Sequence, residues 1–202
     1  MKKRLACAVI FFLLLSGVAT ASAMALIDAK AIREAQEYGR SNAHLAFQEF
    51  IHPWQGVLTK TVTAYPEAQA YLYTPYLVIA VDARERTLSG QNVALADSEK
   101  ALADYNGTLT FSVVLFASGE ESFKHAPKVA LQQTKSSVQP YRLVWPEGKL
   151  PQVSHGGKSY LKANCYVYFA DRSVKISESA NLSLFTGDGR EHSFSFDLTR
   201  IK

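Results

Sequence analysis

The spacing of hydrophobic and polar residues changes about halfway along the chain. In residues 28–51 and 93–105, apolar residues recur every three or four positions, which is typical of helices that bury one face. From residue 108 onward, apolar and polar residues alternate, as they do in strands that bury one face. The pattern therefore predicts helices followed by strands.

The first helical stretch covers residues 28–51. Asp28 is well suited to cap its N-terminus, and Pro53 lies just beyond its end. Gly39 weakens the middle of the stretch. The sequence therefore leaves open whether this is one bent helix or two.

Three segments lie between that stretch and the alternating part. Residues 53–73 are loop-like, although residues 57–62 fit a short edge strand. Residues 75–88 alternate partly like a strand, but Thr74-Pro75 is a typical helix start, and we favour a helix. Residues 93–105 have an apolar side at helical spacing and are predicted to form another helix.

The alternating part predicts strands joined by short links, among them a loop over residues 146–157. Short links without an intervening helix favour antiparallel pairing. The predicted strands cover residues 108–115, 128–133, 138–145, 160–169, 181–186 and 191–201, with another short one over residues 174–177.

We therefore expect an α+β fold, in which N-terminal helices pack on a C-terminal antiparallel β-sheet or sandwich of about five to seven strands. Residues 24–202 are predicted to form a single domain, with a helical part over 24–106 and a β part over 107–202. A domain boundary near Gly107 is the alternative.

The first residues have the pattern of a signal peptide. Lys2-Lys3-Arg4 precedes an apolar run that is too short to span a bilayer, and Ala21-Ser22-Ala23 fits a signal-peptidase site. We predict cleavage after Ala23, with Ala25 as the alternative. The short, lysine-rich form favours a bacterial protein that is periplasmic or secreted. No later run reaches transmembrane length, so no stable membrane insertion is expected after cleavage.

Composition and charge exclude several classes. The chain has 202 residues, 48% apolar and 20% charged, which is typical of globular proteins. Without the three basic residues of the signal, the 22 Lys and Arg become 19, against 18 Asp and Glu. A protein this close to neutral has no electrostatic basis for binding nucleic acid.

The cysteine content allows no disulfide within the processed chain. Cys7 lies in the signal, so Cys165 is left alone. Alternation places Cys165 on the same strand face as Leu161, Val167 and Phe169. We therefore predict that Cys165 is a buried core residue.

Motifs for catalysis, metals and cofactors are missing from the sequence. Ser154-His155-Gly156-Gly157 has the composition of a lipase oxyanion loop but lacks the Gly-x-Ser-x-Gly elbow such a loop requires. Glu120-Glu121 with Asp171 offers an acid–base pair, although a solvated turn is the simpler interpretation. No metal-ligand spacing occurs among His44, His52, His125, His155 and His192. We predict no cofactor, no metal and no catalytic residue.

The remaining candidates are tyrosines. Tyr71, Tyr73 and Tyr76 crowd one segment, and Tyr166 and Tyr168 point away from the predicted core face. Tyrosine suits interfaces because it buries a large ring while keeping a hydrogen-bonding hydroxyl. In the simpler interpretation, which we favour for these side chains, the N-terminal helices cover this sheet face and the tyrosines are half-buried packing residues. Binding of a protein partner and binding of a glycan follow in that order.

The sequence thus favours an exported, non-enzymatic envelope protein that binds a protein partner or serves as an assembly module. The alternative is a module that binds carbohydrate or a small ligand through surface tyrosines. A hydrolase with an unfamiliar site is the third candidate.

Overall fold

The computed structural model describes residues 27–60, 66–103, 105 and 107–200. The predicted signal peptide and its cleavage site at Ala23 lie outside these residues. The described residues form four helices and two antiparallel sheets of five strands each, with the helices mostly before the strands. The predicted α+β class is confirmed.

The helices occupy the N-terminal half. They are α1 (Ala29–Ser41), α2 (Phe47–Ile51), α3 (Pro75–Leu88) and α4 (Leu95–Ala103). The ten strands are β1 (Val57–Lys60), β2 (Gln69–Tyr73), β3 (Thr108–Ala117), β4 (Lys128–Gln133), β5 (Ser136–Val138), β6 (Arg142–Val144), β7 (Gln152–His155), β8 (Lys158–Ala170), β9 (Ser179–Phe185) and β10 (Glu191–Asp197).

The strands form two sheets that pack face to face. Sheet A has the order β2-β3-β8-β6, with β7 also paired to β8, and sheet B has the order β1-β10-β9-β4-β5. The inner faces of both sheets contribute to one apolar core, and the rings of Phe111 and Phe196 meet across it at 4.9 Å. Cys165 is fully buried there, as predicted, and burial raises the pKa of its thiol to about 12.

Side-chain caps explain where two helices begin. The Asp28 carboxylate accepts a hydrogen bond from the Ala31 backbone N–H at 2.7 Å, so the predicted cap is confirmed. The Thr74 hydroxyl accepts from the Leu77 backbone N–H at 3.1 Å. This cap, followed by Pro75 in the first turn, produces the helix that we favoured over a strand.

The helices form a layer on the outer face of sheet A, at its β2 end. Tyr71 of β2 lies in an apolar cluster with Phe50, Trp54 and Leu77. Strand β2 therefore has the sandwich core on one side and the helical layer on the other. Its residues are half-buried or buried throughout, so they do not alternate with polar residues.

Because β2 is covered on both faces, its sequence lacks the alternation of a half-buried strand, and the pattern predicts a loop there instead. Strand β7 was missed for the opposite reason: it is a short, mostly exposed edge strand paired only with β8, and its residues are largely polar. Such strands bring the total to ten, above the five to seven expected. Residues 174–177 form no strand and lie in turns.

The predicted strand over residues 138–145 is in fact divided between the sheets. β5 pairs with β4 in sheet B, whereas β6 pairs with β8 in sheet A. Pro140 lies between them and has no N–H to continue a ladder. The predicted hairpin therefore stops at β5, and the chain crosses to the other sheet.

The N-terminal strands belong to the same sheets as the C-terminal ones. β1 pairs with β10, and β2 pairs with β3. The predicted helical part therefore supplies one strand to each sheet. None of the helices in the described ranges is long and apolar enough to cross a membrane.

Close packing of α1 on α3 depends on Gly39. A Cβ at this position would collide with the Ala80 carbonyl oxygen and lie 2.7 Å from the Ala83 Cβ. We expect Gly39→Ala to lower the free energy of unfolding by about 2 kcal/mol, because overpacking outweighs the gain in helix propensity. Denaturant titration of the purified protein measures this change.

Gly119→Ala is the matched control. No atom lies within 4 Å of a Cβ at Gly119, whose φ of −148° any residue adopts. This variant should unfold like the wild type. Equal stability of the Gly39 variant and this control would show that α1 and α3 do not pack as closely as described.

Candidate functional site

A group of exposed and half-buried tyrosines lies on the outer face of sheet A, beyond the helical layer. We call it the tyrosine face and define it by Tyr73, Tyr141, Tyr166 and Tyr168, with the neighbouring side chains of Arg142, Val144, Lys162 and Asn164. Three strands and the residue preceding β6 supply these side chains. Alternation directs the β8 members outward, because Cys165 and its inner neighbours face the core.

Strand register brings the tyrosine face together. Thr110 on β3 pairs with Tyr73 on β2 and with Tyr168 on β8, and Tyr168 pairs in turn with Arg142 on β6. These four residues therefore form one row across the sheet. Directly paired side chains on the same face lie close enough to interact.

The neighbouring row also points outward, but the helical layer covers one end of it. Ser112 pairs with Tyr71 and with Tyr166, and Tyr166 pairs with Val144. Tyr71 is only 3% exposed because the helical layer covers it, whereas Tyr166 is 39% exposed. The edge of the helical layer thus separates a packed tyrosine from an accessible one.

Two of the five predicted tyrosines are packing residues. Besides buried Tyr71, Tyr76 stacks on Trp54 at 6.1 Å, and its hydroxyl donates to the Glu34 carbonyl oxygen at 3.2 Å. The contacts of these two side chains are those of packing residues. Tyr166 and Tyr168 lie on the accessible face, and half-buried Tyr73 joins them.

The rings of the tyrosine face are tilted against one another. Tyr73 and Tyr166 meet edge to face, with centroids 6.4 Å apart and an interplanar angle of 81°. Tyr141 and Tyr168 lie 6.4 Å apart at 50°. The Arg142 guanidinium lies 5.3 Å from the centre of the Tyr168 ring, within the range of a cation–π contact.

Tyr141 is not among the five predicted tyrosines, although it is 60% exposed. Its hydroxyl lies 3.0 Å from the Thr108 hydroxyl, which fixes the ring beside the sheet. Tyr141 follows Pro140 at the crossover between the sheets, so alternation within one continuous strand could not assign its direction. The Pro-Tyr-Arg sequence after β5 was the only available signal.

Hydrogen-bond donors without partners characterise the tyrosine face. Within the described part of the chain, the charged groups of Arg142 and Lys162 have no ion pair, and the hydroxyls of Tyr166 and Tyr168 have no hydrogen bond. Beneath the rings, the Thr110 hydroxyl is also unpartnered, although the residue is 1% exposed. Burying an unpaired hydroxyl costs about 1–3 kcal/mol.

A concave region lies at the C-terminal end of β3, away from the tyrosine face. A cleft of about 880 Å³ opens between the turn at Glu120–Phe123 and the loop after β6. Trp145 contributes to its wall and donates from Nε1 to the Phe123 carbonyl oxygen at 3.3 Å. Acidic and basic side chains both line the cleft, so its charge favours no particular ligand.

A polar network holds the turn that forms one wall of this cleft. Asp188, in the β9–β10 turn, accepts hydrogen bonds from Ser122, Thr186 and Arg190, each at 2.6 Å. Burial raises the pKa of the Asp188 carboxyl, but these bonds and the Arg190 charge outweigh it and hold that pKa far below its usual range. The Ser122 bond fastens the Glu120–Phe123 turn to the hairpin.

His192 lies on the core face of β10, next to that network. It is 4% exposed, and neither ring nitrogen has a hydrogen-bond partner among the described residues. Burial lowers the pKa of His192, the charge of Arg190 lowers it further, and Asp188 partly opposes them. His192 is therefore a neutral core residue near neutral pH.

The other chemical candidates do not assemble into a site. Glu120 and Glu121 follow β3, whereas Asp171 follows β8, and these strands are antiparallel. The acidic pair and Asp171 consequently lie at opposite ends of sheet A. His155 is exposed on β7, and no group of three metal-binding side chains occurs in the described ranges.

Comparisons with known proteins give one structural similarity. No family model and no curated protein matches the sequence. A solved structure of a protein of unknown function from Burkholderia pseudomallei is similar, with a TM-score of 0.44 and 7% sequence identity. The match covers 85% of this chain and 90% of that chain. At this TM-score, the similarity supports no argument about function.

The buried state of His192 predicts an acid-sensitive stability. Below its ordinary pKa of 6.5, the unfolded chain binds a proton that the native protein takes up only at lower pH. The free energy of unfolding should therefore fall as the pH drops through this range. Leucine at position 192 cannot take up a proton in either state. The free energy of unfolding of His192→Leu should therefore fall less than that of the wild type between about pH 7.5 and about pH 5.

Denaturant titrations at both pH values measure the difference. His155→Leu is the matched control, because His155 is exposed and its replacement should leave the acid-induced loss unchanged. An identical loss in the wild type and the His192 variant would contradict the assignment of His192 as a neutral core residue.

Proposed function

We propose that the protein is a non-enzymatic binding module of the bacterial envelope and that its tyrosine face docks a protein partner. The supporting observation is the cluster of exposed Tyr141 and Tyr166 with half-buried Tyr168 and the Arg142 guanidinium beside it. Tyrosine and arginine are the residue types most enriched at the energetic centres of protein interfaces. Val144, 36% exposed, adds an apolar contact.

The geometry of the rings favours a protein over a carbohydrate. A sugar chain stacks best on aromatic rings that present coplanar faces to it. The interplanar angles of 81° and 50° leave neither tyrosine pair coplanar. Arg142 also contacts the face of Tyr168 that a sugar would need. Tilted rings suit the uneven surface of a protein better.

The two sheets differ in a way that supports a role for sheet A. The outer face of sheet B is mainly serine, asparagine and glutamine, and its Lys60 is paired with Glu191. Phe185 is an isolated exposed ring on that sheet. Aromatic side chains cluster on the outer face of sheet A instead, beside Arg142 and Lys162.

Export is part of the proposal and has its own test. We expect the protein recovered from a bacterial host outside the cytoplasm to lack residues 1–23 and to begin at Met24. Ala23→Arg should block processing, because signal peptidase requires a small residue there. Intact-mass analysis of cell fractions measures both results. A full-length chain confined to the cytoplasm would contradict export.

Site-specific cross-linking tests the docking face. A photoreactive phenylalanine analogue at position 166 should capture one reproducible protein in intact cells. The same analogue at position 185 is the control, since Phe185 is 43% exposed on the other sheet. The captured protein is then purified and its affinity for the wild type is measured directly.

Variants connect this affinity to the tyrosine face. Tyr141→Ala with Tyr166→Ala should weaken binding at least about tenfold, because truncated hot spots cost at least about 1–2 kcal/mol each. The melting temperature should fall only slightly, since the double variant gives up surface ring contacts and the Tyr141–Thr108 hydrogen bond but no core side chain. Equal capture at positions 166 and 185, or unchanged affinity of the double variant, would contradict the proposal.

A further inference from the structure

We infer that the partner presents an acidic, extended segment to the tyrosine face, with carboxylates that meet Arg142 and Lys162. This inference rests on the proposed function and specifies the chemistry of the partner. It comes from charge, from unpartnered donors and from the spacing of the outward positions on β8.

Charge on the tyrosine face has one sign. At outward positions of β3, β6 and β8, the charged residues that define this face are Arg142 and Lys162, and no carboxylate stands among them. Nine other lysines and arginines pair with a carboxylate, whereas exposed Lys128 on sheet B, like Arg142 and Lys162, has no ion pair among the described residues. What distinguishes the tyrosine face is that two such cations flank a group of tyrosines. Unpaired cations on this face therefore attract an anionic partner.

The uncharged groups reinforce this preference. The free hydroxyls of Tyr166 and Tyr168 can donate hydrogen bonds to a docked partner, whereas the Thr110 hydroxyl below them is buried. Arg142 and Lys162 donate and cannot accept. Because tyrosine hydroxyls also accept hydrogen bonds, the excess of donors comes from Arg142 and Lys162, and it is complementary to carboxylate and carbonyl oxygens.

Spacing along β8 indicates an extended segment. Lys162, Asn164, Tyr166 and Tyr168 occupy alternate positions of one strand, so they recur at roughly 7 Å intervals. Arg142 pairs with Tyr168. The two cations consequently lie roughly 20 Å apart, with the tyrosines between them.

An extended peptide crosses this distance with about six residues. The expected ligand therefore has acidic residues near both ends of such a stretch and apolar or aromatic residues between them. Its alternate side chains match the period of the face, as in other recognition modes that use extended peptides.

Peptide selection tests the inference directly. A random 12-residue display library is selected on the protein purified in the form that accumulates in its host. We expect enrichment of peptides with two acidic residues separated by about five to seven positions. The best of them should bind at least about tenfold more weakly to Arg142→Gln with Lys162→Gln, and more weakly as salt rises.

Lys128→Gln with Lys135→Gln is the matched control. It removes the same charge from exposed lysines on β4 and the β4–β5 turn, away from the tyrosine face. Binding to this variant should stay within about twofold of the wild type. The control variant should keep the wild-type melting temperature, because its two lysines have no ion pair among the described residues. The Arg142/Lys162 variant should lose little of it, because it gives up one cation–π contact at the surface.

The results separate the two proposals. The inference would be overturned, and the proposed function left intact, by peptides with two properties. They would depend on Tyr141 and Tyr166, but they would carry no excess of acidic residues and would bind the Arg142/Lys162 variant as tightly as the wild type. Peptides unaffected by Tyr141→Ala with Tyr166→Ala would contradict both, as would a failure to enrich any peptide.

Discussion

The ladder between β3 and β8 connects the core of this protein to its candidate binding surface. The ten residues of β3, Thr108–Ala117, pair without interruption with residues 161–170. Inward positions bury Phe111 and Cys165, while outward positions present Tyr166 and Tyr168. A slip of one residue would exchange the two faces and drive the tyrosines into the core. The apolar core therefore fixes the register that assembles the tyrosine face.

The helical layer decides how much of that face remains accessible. It packs over β2 and buries Tyr71, but it leaves Tyr166 on β8 exposed. Close contact of α1 with α3 at Gly39 keeps this layer compact. The unpartnered Thr110 hydroxyl lies where the buried and accessible parts meet. A buried hydroxyl without a hydrogen bond lowers stability, and such exceptions are expected at functional sites, where the residues meet a requirement other than stability.

Polar contacts have a different role at the cleft end of β3. There the Asp188 carboxylate accepts hydrogen bonds from Ser122, Thr186 and Arg190. His192 lies nearby in the core, where burial lowers its pKa and keeps it neutral. This network satisfies its own charges and fastens a turn to a hairpin. The tyrosine face leaves Arg142 and Lys162 without ion partners among the described residues. The contrast supports a structural role for the network and a binding role for the face.

The sequence by itself determined the α+β class, the cap at Asp28, the burial of Cys165 and the outward direction of Tyr166 and Tyr168. These features depend on local hydrogen bonds or on alternation within one strand, and both can be read from neighbouring residues. The tertiary structure decided that β2 is a strand, that Pro140 divides a predicted strand between two sheets, and that Tyr71 is buried. It also placed Tyr141 and Arg142 beside the β8 tyrosines. Those outcomes depend on which helices and strands pack against one another. The residues that make these contacts are far apart in the chain, so a local pattern does not reveal them.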